Sequence, residues 1–228
     1  MKMKNETKKK VKMMKNLALI LALSTVAISL NANTQIESCA SNFKGFYAGI
    51  QTGGNISQAT NEENQQLSKV TQSTTKFAGG MLAGYGIDIN QCYYVGAEIY
   101  GNLGENKIYL VNAPVYKATL ANNGNVGAKL RVGYTASPRA MLFVTAGLEY
   151  SEWKLNQNLN TGNVKRNLKA QTKKIKFASS IGSDIYLNKN IFVRPEYTYV
   201  APIVLKATSE RNIKISQHRF TLGLGYKI

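Results

Sequence analysis

The chain has 228 residues, 44% of them hydrophobic, and a formal net charge of +17 at pH 7. That length suits one domain, and no helix or loop gathers the excess Lys and Arg into the compact basic footprint that a nucleic-acid partner requires. Beyond residue 32 no run of 18 apolar residues occurs, which excludes a bundle of membrane-spanning helices.

The first segment is a leader. Met1 to Lys15 carries seven lysines against the single Glu6, and an apolar run follows from Leu17 to Leu30. The run is shorter than the roughly 17–25 residues of a spanning helix and is apolar on every side. That is the pattern of a secretory signal peptide. Leu30-Asn31-Ala32 supplies the cleavage site, with small Ala32 before the cut. The basic stretch is long for a leader, so a start at an internal methionine stays open. Removing residues 1–32 takes away a net charge of +6 and leaves 196 residues of about +11. Anionic lipid headgroups or polysaccharide suit such an exported chain better than nucleic acid does. Residues 33–43 are expected as a periplasmic lead and residues 44–228 as the folded domain.

Eight segments of alternating character follow, at about 44–54, 75–89, 92–104, 123–136, 140–154, 173–187, 191–203 and 212–228. Side chains alternate faces along a strand, and each segment reaches the ~9–11 residues of a tilted membrane strand. Asn90-Gln91, Ser137-Pro138-Arg139 and Asn188-Lys189-Asn190 are turn residues in tight connections. The other connections, 55–74, 105–122, 155–172 and 204–211, are long and polar and are expected as loops. Short and long connections therefore alternate. An outer-membrane barrel shows this asymmetry, whereas a soluble up-and-down barrel has no need of it.

Parity assigns the faces. Ala128, Leu130, Val132 and Tyr134 oppose Gly127, Lys129, Arg131 and Gly133; Val144, Ala146, Leu148 and Tyr150 oppose Phe143, Thr145, Gly147 and Glu149. Tyr93, Val95, Ala97 and Ile99 oppose Gly96 and Glu98, and Val193, Tyr197 and Tyr199 oppose Arg194, Glu196 and Thr198. A basic residue facing lipid at the midplane costs roughly 2–4 kcal/mol. Asp88, Glu98, Lys129, Arg131, Glu149, Lys176, Asp184, Arg194 and Glu196 are therefore expected inside, ion-paired, in an eight-stranded barrel only wide enough for side chains to fill. Two features fit poorly. Pro195 removes a ladder donor within its strand, which predicts a bulge there. Ser179 and Ser183 fall on the lipid face of their segment.

The last segment closes the pattern, with Phe220, Leu222, Leu224, Tyr226 and Ile228 on one face. The stretch Gly45-Phe46-Tyr47-Ala48-Gly49-Ile50-Gln51-Thr52-Gly53-Gly54-Asn55, the stretch Val193-Arg194-Pro195-Glu196-Tyr197-Thr198-Tyr199, and Gln217-His218-Arg219-Phe220 with Gly223 and Gly225-Tyr226 complete the set. Together they resemble the opening, penultimate and closing strands of small outer-membrane β-barrel proteins, the porin-like or OmpA-like eight-stranded group. The resemblance covers 44–228 and implies an all-β, antiparallel, up-and-down transmembrane barrel of the bacterial outer membrane. It also implies outer-membrane lipid, lipopolysaccharide and the barrel-insertion machinery as partners, with no cofactor. The family's assembly signal usually ends in an aromatic residue, and Ile228 departs from that.

Cys39 precedes the first strand and Cys92 opens the third, so both are expected at the periplasmic rim of an oxidising compartment. A disulfide, a lipid-modified Cys39 and two free thiols are the three readings. Ile36-Glu37-Ser38 before Cys39 suits lipidation poorly. His218 is the only histidine, too few for a histidine metal site. Barrels that trim or acylate lipid A use His with Ser and a carboxylate. Ser216 shares a face with His218, but no placed carboxylate accompanies them, and the resemblance accounts for His218 as an ordinary residue of the closing strand. Lys154, Lys165, Arg166, Lys169, Lys173, Lys174 and Lys176 cluster about one long connection. They suit lipopolysaccharide phosphates or a host polysaccharide, or simple solvation. The expected role is structural or interactive, through surface connections that can meet a host ligand. A small-solute porin is the first alternative and a lipid A modifying enzyme the second.

Overall fold

The alternating segments form ladders in the computed structural model, which describes residues 43–63, 71–89, 92–112, 116–161, 164–208 and 211–228. The strands are β1 (Gly45–Glu63), β2 (Thr71–Asp88), β3 (Tyr93–Asn112), β4 (Tyr116–Ser137), β5 (Ala140–Thr161), β6 (Val164–Tyr186), β7 (Ile191–Thr208) and β8 (Arg211–Lys227). Each pairs antiparallel with the next, and β8 returns to β1, closing an eight-stranded barrel. Closure leaves no strand edge in the wall. The short turns have local chemistry to hold them. Ser137 Oγ accepts from the Arg139 amide at 3.3 Å. Asn188 Oδ1 accepts from the amides of Asn190 at 2.9 Å and Ile191 at 2.7 Å. Asn90-Gln91 lies outside the described residues. At the closing seam β1 and β8 approach so closely that a Cβ on Gly53 would meet the Phe220 carbonyl oxygen at 1.9 Å.

The outward face is apolar and banded. Near the short turns Phe46 packs on Tyr85 at 4.5 Å between ring centroids and Tyr93 on Tyr134 at 5.8 Å, with Tyr226 at the same end. Ile50, Met81, Ile99, Leu130, Val144, Ile181 and Leu222 follow, all exposed on the outer wall. Phe77, Tyr150, Phe177, Tyr199 and Phe220 form a second aromatic level. Eight residues of a strand tilted by about 40° rise about 20 Å, close to the ~25 Å apolar band of membrane barrels with its two aromatic girdles.

Beyond the second girdle the strands do not stop. The segments 55–74, 105–122, 155–172 and 204–211, expected as loops, are largely strand. The β1–β2 ladder runs to Thr60↔Thr71, β3–β4 to Asn112↔Lys117, β5–β6 to Thr161↔Val164 and β7–β8 to Thr208↔Arg211. Outside the band no lipid demands an apolar outer face, so nothing there enforces the alternation, while the ladder hydrogen bonds continue.

Two seams separate there. The β2–β3 ladder ends at Gly79↔Leu103 and the β6–β7 ladder at Ala178↔Val200. Both ends coincide with an inserted residue. On β3 the register against β4 shifts between Leu103 and Asn106, around Gly104 with φ +157°. On β7 the register against β8 shifts between Val200 and Ile203, around Ala201-Pro202. A bulge bends its strand, and proline is tolerated where no ladder donor is needed. The extension is thus two four-stranded sheets, β3–β4–β5–β6 and β7–β8–β1–β2.

The bulge expected at Pro195 is absent. Gly182↔Glu196 and Ile185↔Val193 keep one register, and the ladder is merely interrupted between them. Losing the proline N–H opens a gap on the β6 side, while Pro195 stays opposite Leu222 on β8. Ser183, expected to face lipid, sits at this gap opposite Leu142 of β5 and is only 3% exposed.

Candidate functional site

The interior is the candidate site, and it is filled in layers. At the short-turn end Phe43, Tyr47, Leu82, Tyr94, Met141, Tyr186 and Phe192 form an apolar cork. Phe43, from just before β1, stands edge-on to Tyr186 at 5.0 Å. Asp88, the last residue of β2, is half-buried near this mouth.

Above the cork lies the first ionic layer. Arg194 of β7 donates to both oxygens of Asp184 from Nε at 2.6 Å and Nη2 at 3.1 Å, and to Glu98 Oε2 from Nη1 at 2.5 Å. Arg131 pairs with Asp184 and lies 4.0 Å from Glu98. Its guanidinium also sits 3.7 Å from the Phe143 ring centroid. Lys129 bridges Glu98 at 3.0 Å and Glu196 at 2.5 Å. Tyr47 donates its hydroxyl to Glu98 at 2.8 Å. Asp184 with Arg194 is a tight pair. Glu98 and Arg131 are longer apart, because Arg194 and Lys129 take the carboxylate instead.

A cavity of about 10 Å³, lined by Gln51, Tyr100, Thr145, Ser180, Thr198 and Arg219 among others, separates this layer from the next. That is room for one water at most. The second layer centres on Glu149, which accepts from Arg219 Nη2 and Tyr100 Oη, both at 3.0 Å, and lies 3.5 Å from Lys176 Nζ. Lys176 donates to Gln217 at 2.7 Å, and Gln217 donates to Ser57 at 3.2 Å. Trp153, with Lys176 5.4 Å from its ring centroid, closes the stack together with Val200 and Ile215, all three buried.

Five buried cations, Lys129, Arg131, Lys176, Arg194 and Arg219, therefore face four buried anions, Glu98, Glu149, Asp184 and Glu196. Each is held by partners on other strands, as burial of charge demands. The near balance leaves no continuous lumen of one sign among the described residues, and the cavity between the two layers holds one water at most. Sequence reading missed Arg219, Gln217, Tyr47 and Tyr100. The signal for the first two is in the sequence, since Gln217 and Arg219 alternate with His218 and Phe220 on the face opposite the apolar one.

The other candidates lie elsewhere. His218 is on the outer wall, its Nδ1 hydrogen-bonded to the Tyr197 hydroxyl at 2.7 Å, with Ser216 next on the same face. The barrel's buried carboxylates are on the opposite side of the wall, so among the described residues no triad assembles around it. Among the described residues no three His, Cys, Asp or Glu side chains converge as a metal site. Cys92 is half-buried at the short-turn rim, where its carbonyl accepts from the Thr135 amide at 2.8 Å. Cys39 and Ala32 lie outside the described residues. Leu222, Leu224, Tyr226 and Ile228 line the outer wall, with Phe220 partly exposed on the same face. Lys154, Lys173 and Lys174 are exposed beyond the second girdle, and Lys165, Arg166 and Lys169 fall in the extended part of β6.

The chain is 28% identical over 193 residues to the 31 kDa outer-membrane immunogenic protein of Brucella melitensis, covering 79% of each, and equally to that of Brucella suis. Among solved structures it is similar to the outer membrane protein OprG from Pseudomonas aeruginosa, with TM-score 0.50, 12% identity, and 81% of this chain and 96% of that one covered. It is also similar to Ail, the attachment invasion locus protein of Yersinia pestis, with TM-score 0.43, 14% identity, and 82% of this chain and 100% of that one covered. At such identity the OprG structure speaks to the fold alone. The model of the outer membrane protein beta-barrel domain matches residues 18–227. The chain therefore belongs to that family, and its place is the bacterial outer membrane.

Proposed function

We propose that this protein is a non-conducting surface peg of the outer membrane, structural and interactive rather than enzymatic. One observation carries the reading. The strands run on past the apolar band as two sheets, while the wall below them encloses a stack of ion pairs whose interlayer cavity has room for one water at most. The banded wall anchors the protein and the sheets make its contacts. The long ends face outward and the short turns face the periplasm. The immunogenic outer-membrane relative supports display at the surface. On this reading residues 1–32 are removed after Ala32, and β8 with Phe220, Leu222, Leu224, Tyr226 and Ile228 is what the insertion machinery meets. Lipopolysaccharide surrounds the outer girdle, and host ligands meet the extension.

Planar-bilayer recording of the purified protein tests the peg. The expected record is flat, and discrete ohmic steps in wild type would establish the porin reading in its place. Protease applied to intact cells tests the orientation. Cleavage between the long strand ends, within 64–70 or 113–115, is expected, with Ser137-Pro138-Arg139 and Asn188-Lys189-Asn190 protected. The reverse pattern would invert the barrel.

A further inference from the structure

The outer wall is not evenly coated. A groove of about 990 Å³ crosses it over six strands, from Ala48 on β1 to Ile175 on β6. Two rows of ladder partners make it. One reads Ala48↔Ala83↔Ile99↔Ala128↔Leu148, and the other Ile50↔Met81↔Gly101↔Val126↔Tyr150↔Ile175. Ala48, Ala83, Gly101 and Ala128 are small enough to form its floor, and Ile50, Met81, Ile99, Leu148 and Ile175 stand at its sides. Because the strands tilt, a row that follows the hydrogen bonds climbs the wall. The first row begins two residues above Phe46 in the lower girdle, and the second ends two residues beyond Phe177 in the upper one. Five strand spacings make it about 24 Å long, more than the roughly 15 Å depth of one leaflet.

The upper end is charged. Lys173 is the next outward residue of β6 after Ile175, and it stands opposite Glu152 of β5. Lys154, half-exposed, lies beyond Glu152 on the same face, its Nζ 3.5 Å from the Glu152 carboxylate. Lys174, which pairs with buried Ser151, lies on the opposite face of β6 and does not front the groove. The groove thus opens at the interface onto two ammonium groups and one carboxylate, with the Tyr150 ring at its lip.

We propose that this groove is a lipid site for a phosphate-bearing, multiply acylated glycolipid of the outer leaflet. One acyl chain lies along Ala83, Gly101 and Ala128, and a phosphate sits against Lys154 and Lys173. The site rests on the outward placement of the long strand ends. Protease shaving reports a failure of that placement separately from any failure of lipid binding.

The test is native mass spectrometry of the purified full-length protein in detergent, loaded in turn with bisphosphorylated lipid A, phosphatidylglycerol and phosphatidylcholine. Wild type is expected to retain one lipid A and neither phospholipid. Lys154→Gln with Lys173→Gln is expected to weaken retention about thirtyfold, from roughly 1 kcal/mol per lysine at an anionic surface. Ala128→Leu, which fills the floor without touching a charge, is expected to weaken it as well. Lys189→Gln, an exposed lysine in a short turn, is the control for charge alone and should retain lipid A like wild type. Heat-modified gel mobility verifies that each variant is folded. Equal retention of either phospholipid, wild-type retention in the double lysine variant or in Ala128→Leu, or an equal loss in Lys189→Gln would overturn the site.

Discussion

The same eight strands live under two regimes, and the barrel wall and its extension differ at every level because of it. In the wall, lipid outside and tight packing inside leave no water for an unpaired group. Every strand is paired on both sides except at the Pro195 gap, and every buried charge has partners from other strands. In the extension water satisfies what protein does not. Two seams part, and the one described ion pair, Lys154 with Glu152, is solvent-exposed. An interaction's worth in this protein is therefore set by its height along the strand more than by its chemistry.

The largest expected contrast is between two ion pairs. Arg194→Ala removes a buried guanidinium from both Asp184 and Glu98. It should cost about 3–5 kcal/mol of unfolding free energy in detergent, read as a lowered urea midpoint and an altered heat-modified gel shift. Lys154→Ala in the extension should cost no more than about 1 kcal/mol. Equal, small effects would mean that Arg194 is solvated and the plug is not dry.

The proposed disulfide comes next. Cys39–Cys92 would close a loop of about 50 residues at the short-turn rim and contribute about 4 kcal/mol in the chain-entropy model. No described cysteine is a free thiol, which supports the proposal. Mapping of non-reduced peptides should recover the linked pair. Two free thiols from oxidised membranes would refute it, and a diacylglyceryl mass on Cys39 would mark a lipoprotein.

The smallest contrast sets neighbouring glycines of β1 against each other. A Cβ at Gly53 would lie 1.9 Å from the Phe220 oxygen, whereas a Cβ at Gly54 meets nothing within 4 Å. Gly53→Ala should lose about 1–3 kcal/mol by forcing the closing seam apart. Gly54→Ala should fall within about 0.5 kcal/mol of wild type. Matching melting curves for the two would show that the seam is looser than its register implies.

What the residues determine alone is the wall. Lipid outside and a side-chain plug inside impose opposite demands on adjacent positions, so Leu130, Val132 and Tyr134 against Lys129, Arg131 and Gly133 can be read as outer and inner faces without coordinates. Turn residues at 137–139 and 188–190 set the strand order for the same local reason. The extension is illegible because no lipid enforces an alternation beyond the band, so 155–172 reads as a polar loop although it pairs to Thr161↔Val164. Parity places a charge inside but does not choose its partner. Glu98 sits beside Lys129 in the ladder, yet its shortest ion pair is with Arg194 from across the barrel. That choice depends on strand stagger and barrel closure, which set the heights at which side chains from distant strands meet. The oblique groove has the same origin, since Ala48, Ala83 and Ala128 become one floor only when tilted strands are laid in register.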